Sequence, residues 1–219
     1  MSKNHPRFIT VEGVDGAGKS TYVQDIVSAF EALGFEVVRT REPGGTPAGE
    51  LIRDVALHQP MDPAAETILM FASRAEHLAR VIRPALERGA LVVCDRFTDS
   101  TIAYQAGAKG VDPALLEGLR ALTHPDVEPG LTFFFDVPVE VSRQRLGRTG
   151  KTADKFESED DGFFRRVRDA YHAIAAAEPR VAVIDAVPSI EAVRQAVLER
   201  CAAHGASLGA APARRAPRP

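Results

Sequence analysis

The sequence predicts an α/β fold, a parallel five-stranded sheet covered by helices on both faces. Three observations carry this. Five short apolar runs alternate with helical patterns along the chain. Each run is nearly continuously apolar, as strands buried on both faces are. The first run leads straight into Gly13–Ser20, GVDGAGKS, which fits the phosphate-binding pattern G-x-x-x-x-G-K-[ST] at every fixed position. The fold class is therefore of P-loop NTPase type. Alternating β and α implies right-handed crossovers, with ligands bound beyond the carboxyl ends of the strands.

The elements follow in order. Phe8–Val11 is the first strand. After the Gly-rich loop, Tyr22, Val23, Ile26, Val27, Phe30 and Leu33 recur at helical spacing and place a helix over Lys19–Leu33. Glu36–Thr40 is the second strand, closed by the turn Arg41-Glu42-Pro43-Gly44-Gly45-Thr46. A long helical pattern covers about Ala64–Arg88, then Leu91–Cys94 is the third strand. Pro113–Leu122 reads as a helix, Leu131–Val137 as a strand and Val139–Leu146 as a helix. Asp161–Ala177 is a further helix, Val181–Ile184 the last strand and Ile190–Ala203 the last helix. Residues 1–204 make one domain, with a short mobile lid at about 147–158. The stretch 205–219, GASLGAAPARRAPRP, lacks apolar packing residues and reads as a disordered tail.

Bulk properties exclude several classes. The 219 residues are 45% hydrophobic and 26% charged, which suits one globular domain. A formal net charge of -3 points to neither nucleic acid nor a membrane surface as partner. The apolar runs are too short to span a bilayer, and the first residues, MSKNHPRF, lack an apolar signal core. Cys94 and Cys201 form no disulfide framework or metal spacing, so the cytoplasm is the expected compartment. The six histidines are scattered without ligand spacing.

The motifs place chemistry at the strand ends. Glycines let successive backbone N–H groups of Gly13, Val14, Asp15, Gly16, Ala17 and Gly18 turn toward an anion, and the helix N-terminus adds its positive end. Lys19 reaches the outer phosphates, Thr21 follows in the first turn, and the Ser20 hydroxyl suits a magnesium ion. Asp95 ends the third strand as a second magnesium ligand. Arg96 beside it suits a bidentate clamp on a second phosphate, or a structural ion pair. Phe71 and Arg74 lie three apart on one helix face; they read either as a base platform or as core packing with a surface arginine. Ser100, Thr101, Tyr104 and Gln105 follow at helical spacing with polar tips.

Together these pieces resemble the bacterial thymidylate kinase (dTMP kinase) family. VEGVDGAGKST, TREPGGT, LMFASRAEH, DRFTDSTIAYQ, FFFDVPVEV and FFRRVRDAY carry the resemblance, from about Phe8 to Ala203. It implies a cytoplasmic homodimer that transfers the ATP γ-phosphate to dTMP with magnesium, giving dTDP. It also implies roles. Lys19 and the loop amides would hold ATP, and Asp15 would sit near the dTMP sugar and phosphate. Glu42 and Pro43 would border the acceptor. Phe71 would stack on thymine and Arg74 would bond its edge. Arg96 would clamp the acceptor phosphate, and Tyr104 would crowd the sugar 2′ position. Ser100, Thr101 and Gln105 would complete the pocket. One form of the family carries Arg inside the phosphate loop; Gly16 stands there here, which implies a cation from the lid. Arg148 and Lys155 are the candidates for that catalytic role, with Lys151 nearby and Arg143 and Arg145 next in line. Lys155 stands where relatives often carry Arg and lacks the two-pronged fork. Competing readings are a kinase for another small acceptor, such as dUMP or a nucleoside, and a non-catalytic nucleotide switch. No guanine-reading N-K-x-D segment supports the switch.

Overall fold

The computed structural model describes residues 4–148 and 154–209. Its strands are β1 (Asn4–Glu12), β2 (Val37–Arg41), β3 (Leu91–Asp95), β4 (Glu128–Asp136) and β5 (Val181–Asp185). They form one sheet in the order β2-β3-β1-β4-β5. Every neighbouring pair is parallel. Successive residues of a strand enter different cores. Ile9, Val11, Leu91 and Val93 pack into one cluster, whereas Phe8, Val92 and Cys94 pack into another. Covered faces on both sides explain the continuous apolar runs. Thr10 and Thr132, paired in register across β1 and β4, satisfy each other by a buried 2.7 Å hydroxyl contact.

The helices are α1 (Lys19–Ala32), α2 (Pro47–His58), α3 (Pro63–His77), α4 (Arg83–Glu87), α5 (Thr98–Thr101), α6 (Pro113–Thr123), α7 (Val139–Gly147), α8 (Asp161–Ala177) and α9 (Ile190–Ser207). The expected helix over about Ala64–Arg88 is interrupted. A π-helical stretch, Leu78–Ile82, joins α3 to α4. Pro84 has no N–H to offer an i–4 carbonyl, so the ladder shifts just before it. A second π-helical stretch, Ile102–Ala108, continues α5 and carries Tyr104 and Gln105.

Helix α2 has no counterpart among the expected elements. Its start signals are present: Thr46 caps Gly49 N at 3.0 Å, Pro47 opens the first turn and Glu50 follows. Its apolar side chains Leu51 and Val55 face outward, however, and only Gly49 and Ala56 are buried. Ala48, Leu51, Ile52, Val55 and Ala56 nevertheless recur at i, i+3, i+4, i+7 and i+8, and Ala56 and Leu57 pack on the main core, so the helix was legible in the sequence although the expected elements omit it.

Helix α9 runs past Ala203 and past Gly205, where the tail was expected to begin. Gly205 is buried, since a Cβ there would lie 2.5 Å from the Leu33 side chain, and Leu208 packs on the main core. Positions 210–219 of the tail and Lys151 of the lid lie outside the described residues. No helix among the described residues is long and apolar enough to cross a membrane. A chain ending at Gly209 is expected to melt with the full-length chain. A chain ending at Gly205 loses the final turn and Leu208 and is expected to be less stable by about 1 kcal/mol, as thermal denaturation will show.

Candidate active site

The loop after β1 leaves little room for side chains. Gly13, Gly16 and Gly18 have φ of 139°, 79° and 91°. A Cβ at Gly13 would lie 2.5 Å from the Phe135 carbonyl oxygen, and one at Gly16 would lie 2.5 Å from that of Ser142. A side chain at position 16 would collide with α7, so the loop has no room for one there. The Ser142 hydroxyl pins the loop to α7 by donating to the Asp15 carbonyl at 2.6 Å. The side chains of Val14 and Ala17 go into the core, so only their backbone is available to a ligand.

Lys19 is buried, and its ammonium donates to the carbonyls of Gly13 and Val14 at 2.8 and 2.9 Å. Burial and the Arg96 charge push it down to about 8, against the pull of Asp15 and Asp95. Ser20 lines the same cleft of about 1010 Å³, with Gly16, Gly18, Asp95, Arg96 and Arg145. Thr21 is exposed and does not line it. The Asp95 Oδ1 atom is buried without a hydrogen-bond partner. An orphaned carboxylate oxygen in a cleft that also holds a serine hydroxyl fits the oxygen-ligand chemistry of magnesium.

A second cleft, of about 600 Å³, opens on the other side of Arg96. Asp15, Glu42, Arg53 and Arg96 line both clefts and form the wall between them. Arg96 has φ of 71°, the only positive value outside glycine among the described residues. Its N–H donates to the Val11 carbonyl at 3.0 Å. Strain of this kind persists where surrounding contacts over-determine it. The guanidinium pairs with Asp15, and donates to Gly13 O and Ser100 Oγ at 3.1 Å and to Tyr104 and Tyr171 hydroxyls at 3.3 and 3.4 Å. Burial works to raise the Asp15 carboxyl, but Arg96 and Lys19, with a 2.8 Å bond from Tyr104, hold it below the usual range. Beneath Arg96 lies Glu12, which accepts from Phe97 N, Ser100 Oγ and Tyr171 Oη. Burial and the Asp99 charge push Glu12 up to about 7, opposed by Ser100, Arg96 and Tyr171.

The far end of the second cleft is lined by Pro43, Met70, Arg74, Thr101, Tyr104 and Gln105. Arg74 Nε donates to Glu42 at 2.7 Å and Nη2 donates to Thr101 at 3.0 Å. Arg74 Nη1 is buried with no partner. Glu42 is held in turn by His77, whose other ring nitrogen meets Thr40 at 2.6 Å. Phe71 does not line the cleft. It packs with Val111 and Leu116, stacks near His124 and supports the Arg74 guanidinium from 4.7 Å. Met70 faces the cleft in its place. On an α-helix a residue four before Arg74 is about 40° off its direction and one three before is about 60° off on the opposite side. One position therefore decides between cleft and core.

Among the lid candidates, Arg145 lines the phosphate-side cleft and donates to Ala17 O and Ala186 O at 3.2 and 2.8 Å. Arg148 is exposed at the end of α7. Arg143 is committed to Asp161, Glu157 O and Glu159 O. Lys155 does not face the phosphate loop; its ammonium meets Glu66 at 2.6 Å and Gln59 O at 3.0 Å. Glu66 is a fully buried carboxylate that the lid sequence gave no means to foresee, and it outcompetes a solvated position for Lys155. Two cations lining the phosphate-side cleft were missed, Arg41 at the end of β2 and Arg53 of α2; Arg53 donates to Pro43 O at 2.9 Å. The helical spacing around Arg53 was legible, but its place at the cleft is set by the fold.

A family model described as thymidylate kinase matches residues 11–197. A protein of Methylobacillus flagellatus named thymidylate kinase is 55% identical over 194 residues, 88% of this chain and 95% of that relative. One of Bordetella pertussis, with the same name, is 51% identical over 189 residues, 86% and 90% of the two chains. The crystal structure of thymidylate kinase from Ehrlichia chaffeensis is similar with a TM-score of 0.71 at 35% identity, covering 88% of this chain and 96% of that one.

The Glu12 carboxyl binds a proton more tightly folded than unfolded, so stability is lost as pH rises from about 4.5 through about 7. Glu12→Gln is expected to shrink the fall in melting temperature between those pH values, measured by calorimetry against the parent chain.

Proposed function

The chain belongs to the thymidylate kinase family, and we propose that it transfers the γ-phosphoryl group of ATP to dTMP, giving ADP and dTDP for dTTP synthesis. One observation carries the assignment to this site: two adjoining clefts share a wall that contains Arg96 and Arg53. A donor on the phosphate loop and an acceptor in the second cleft then meet at that wall. An oxygen of the dTMP phosphate attacks the γ-phosphorus, and the bond to the β–γ bridging oxygen breaks. No side-chain nucleophile is needed; alignment and charge neutralisation supply the catalysis.

The chain's residues divide that work. Loop amides and the α1 N-terminus bind the ATP phosphates. Lys19 neutralises charge on the outer phosphates. Ser20 and Asp95 would hold magnesium, which would supply charge neutralisation for the ATP phosphates. Arg96 binds the acceptor phosphate through its fork, and Arg53 stands at the same wall. Ser100 and Tyr171 accept from Arg96, and Asp15 holds it from the loop side. Tyr104, bonded to Asp15, borders the sugar. Arg74 Nη1, buried and unpaired, offers a donor to a carbonyl on the base edge, and Met70 supplies an apolar surface beside it. With Lys155 held by Glu66, the transition-state charge falls to Arg96, Arg145 and Arg148. Asp154 and Phe156 of the lid line the acceptor cleft and exclude water from it.

We also assign this chain to the cytoplasm as a homodimer. The free, buried thiols of Cys94 and Cys201 support the first. Exposed Leu51 and Val55 on α2, Ile68 on α3 and Leu122 on α6, on helices that pack together, support the second.

ADP formation from Mg-ATP with dTMP, dUMP, dCMP, the ribose form of TMP and thymidine as separate acceptors tests the function; turnover with dTMP at or below that with the others overturns it. Lys19→Ala is expected to fold normally and lower kcat by orders of magnitude, read by the same assay. Arg96→Lys keeps the charge but loses the fork, and is expected to raise KM for dTMP at least about tenfold while leaving KM for ATP near the parent value.

A further inference from the structure

Glu66 belongs to no step above, yet it is the most heavily engaged carboxylate in the molecule's acceptor half. It lies on α3 at 1% exposure. It accepts from Gln105 Nε2 at 2.9 Å, from Lys109 Nζ at 2.9 Å on both oxygens and from Lys155 Nζ at 2.6 Å. The Phe156 ring lies beside both ammonium groups, 4.4 Å from Lys109 and 5.2 Å from Lys155. Two separate segments, the π-helical stretch with its C-cap Lys109 and the segment carrying Lys155, thus converge on one buried carboxylate.

Chemistry then dictates the orientation of Gln105. A carboxylate offers only acceptors, whereas an amide has one donor side and one acceptor side. Gln105 must turn its NH2 toward Glu66, and its carbonyl oxygen remains for the cleft that Gln105 lines. Arg74, on the same cleft, offers only donors, with Nη1 unpaired. The base end therefore carries one enforced acceptor and one enforced donor. Thymine presents a carbonyl acceptor at position 4 and an N–H donor at position 3. Cytosine presents an amino donor at position 4 and a bare nitrogen acceptor at position 3, the reverse pattern.

We propose that Glu66 is a positioning residue for base selection, locking the Gln105 amide so that the cleft accepts the thymine edge and rejects the cytosine edge. This rests on the reading of the second cleft as the dTMP site. Lys155 joins the same carboxylate, so the segment carrying Phe156 and the selective amide share one anchor.

The test compares kcat/KM for dTMP with that for 5-methyl-dCMP, which differs from dTMP only along the discriminating edge. Glutamine at position 66 can turn either polarity toward Gln105 and frees its amide to flip. Glu66→Gln is expected to lower the dTMP to 5-methyl-dCMP ratio at least about tenfold, the scale of one misplaced buried hydrogen bond, with KM for ATP unchanged. In a Gln105→Ala background the same change is expected to leave the ratio where Gln105→Ala put it. An unchanged ratio in a folded Glu66→Gln protein overturns the proposal, as does an equal fall with Gln105 already removed. If Glu66→Gln alone does not fold, the charge-balanced pair Glu66→Gln with Lys109→Met carries the same comparison. An unsubstituted protein that does not use dTMP overturns the acceptor reading itself, and this proposal with it.

Discussion

The phosphate loop lies so close to β4 and α7 that two of its positions exclude a side chain, with ideal Cβ positions at Gly13 and Gly16 only 2.5 Å from carbonyl oxygens of Phe135 and Ser142. Much of the site follows from this close approach. The loop contributes backbone, the Lys19 ammonium, the Asp15 carboxylate and the Ser20 hydroxyl, with no room for a side chain at Gly13 or Gly16. Further positive charge arrives from other elements. It comes from Arg96 after β3, Arg53 on α2 and Arg145 on α7, all lining the phosphate-side cleft.

Bringing cations together in a partly buried space is costly unless each has a partner. Carbonyls hold Arg53 and Arg145, and carboxylates hold several other basic groups around the two clefts. Asp15 meets Arg96, Glu42 meets Arg74, and Glu66 meets Lys109 and Lys155. The Arg74–Glu42 pair is nearly fully buried on both sides, so removing either member strands a charge rather than merely losing a contact. These pairings also carry direction. A carboxylate only accepts, so it determines which atoms of its neighbours remain to face a ligand. Glu12 does this for the Ser100 and Tyr171 hydroxyls beneath Arg96, and Glu66 does it for the Gln105 amide.

The segment from Asp154 to Asp161 follows the same rule. Arg143 is tied to backbone carbonyls of Glu157 and Glu159 and lies 4.3 Å from the Phe164 ring. Asp154 caps Phe156 N and Glu157 N at 2.9 Å, which tightens the segment that presents Phe156 to the second cleft. Lys155 turns to Glu66 and the Gln59 carbonyl rather than to the phosphate loop. Its ammonium needs a partner once its stem is packed near Phe156, and Glu66 is within reach.

All five strands, the phosphate loop, most helices and the family were legible in the sequence. Strands buried on both faces and helices with a core stripe leave periodic patterns, and a phosphate loop is a local backbone motif. Lys19, Asp95, Arg96, Arg74 and Gln105 stand in the two clefts because their strand-end or motif context is local too. Other decisions were not local. Helix α2 was legible, with Ala48, Leu51, Ile52, Val55 and Ala56 at helical spacing, but only the fold places its Arg53 on the wall between the clefts. Whether Met70 or Phe71 faces the cleft depends on a helix rotation of under one residue, set by packing against α6. The partners of Lys155, Gln105 and Ser100 lie 39 to 89 positions away in the chain, and only folding brings Glu66 and Glu12 beneath them. Sequence alone determines which groups a segment can offer; the tertiary structure decides which partner consumes each group and therefore which atom is left to bind.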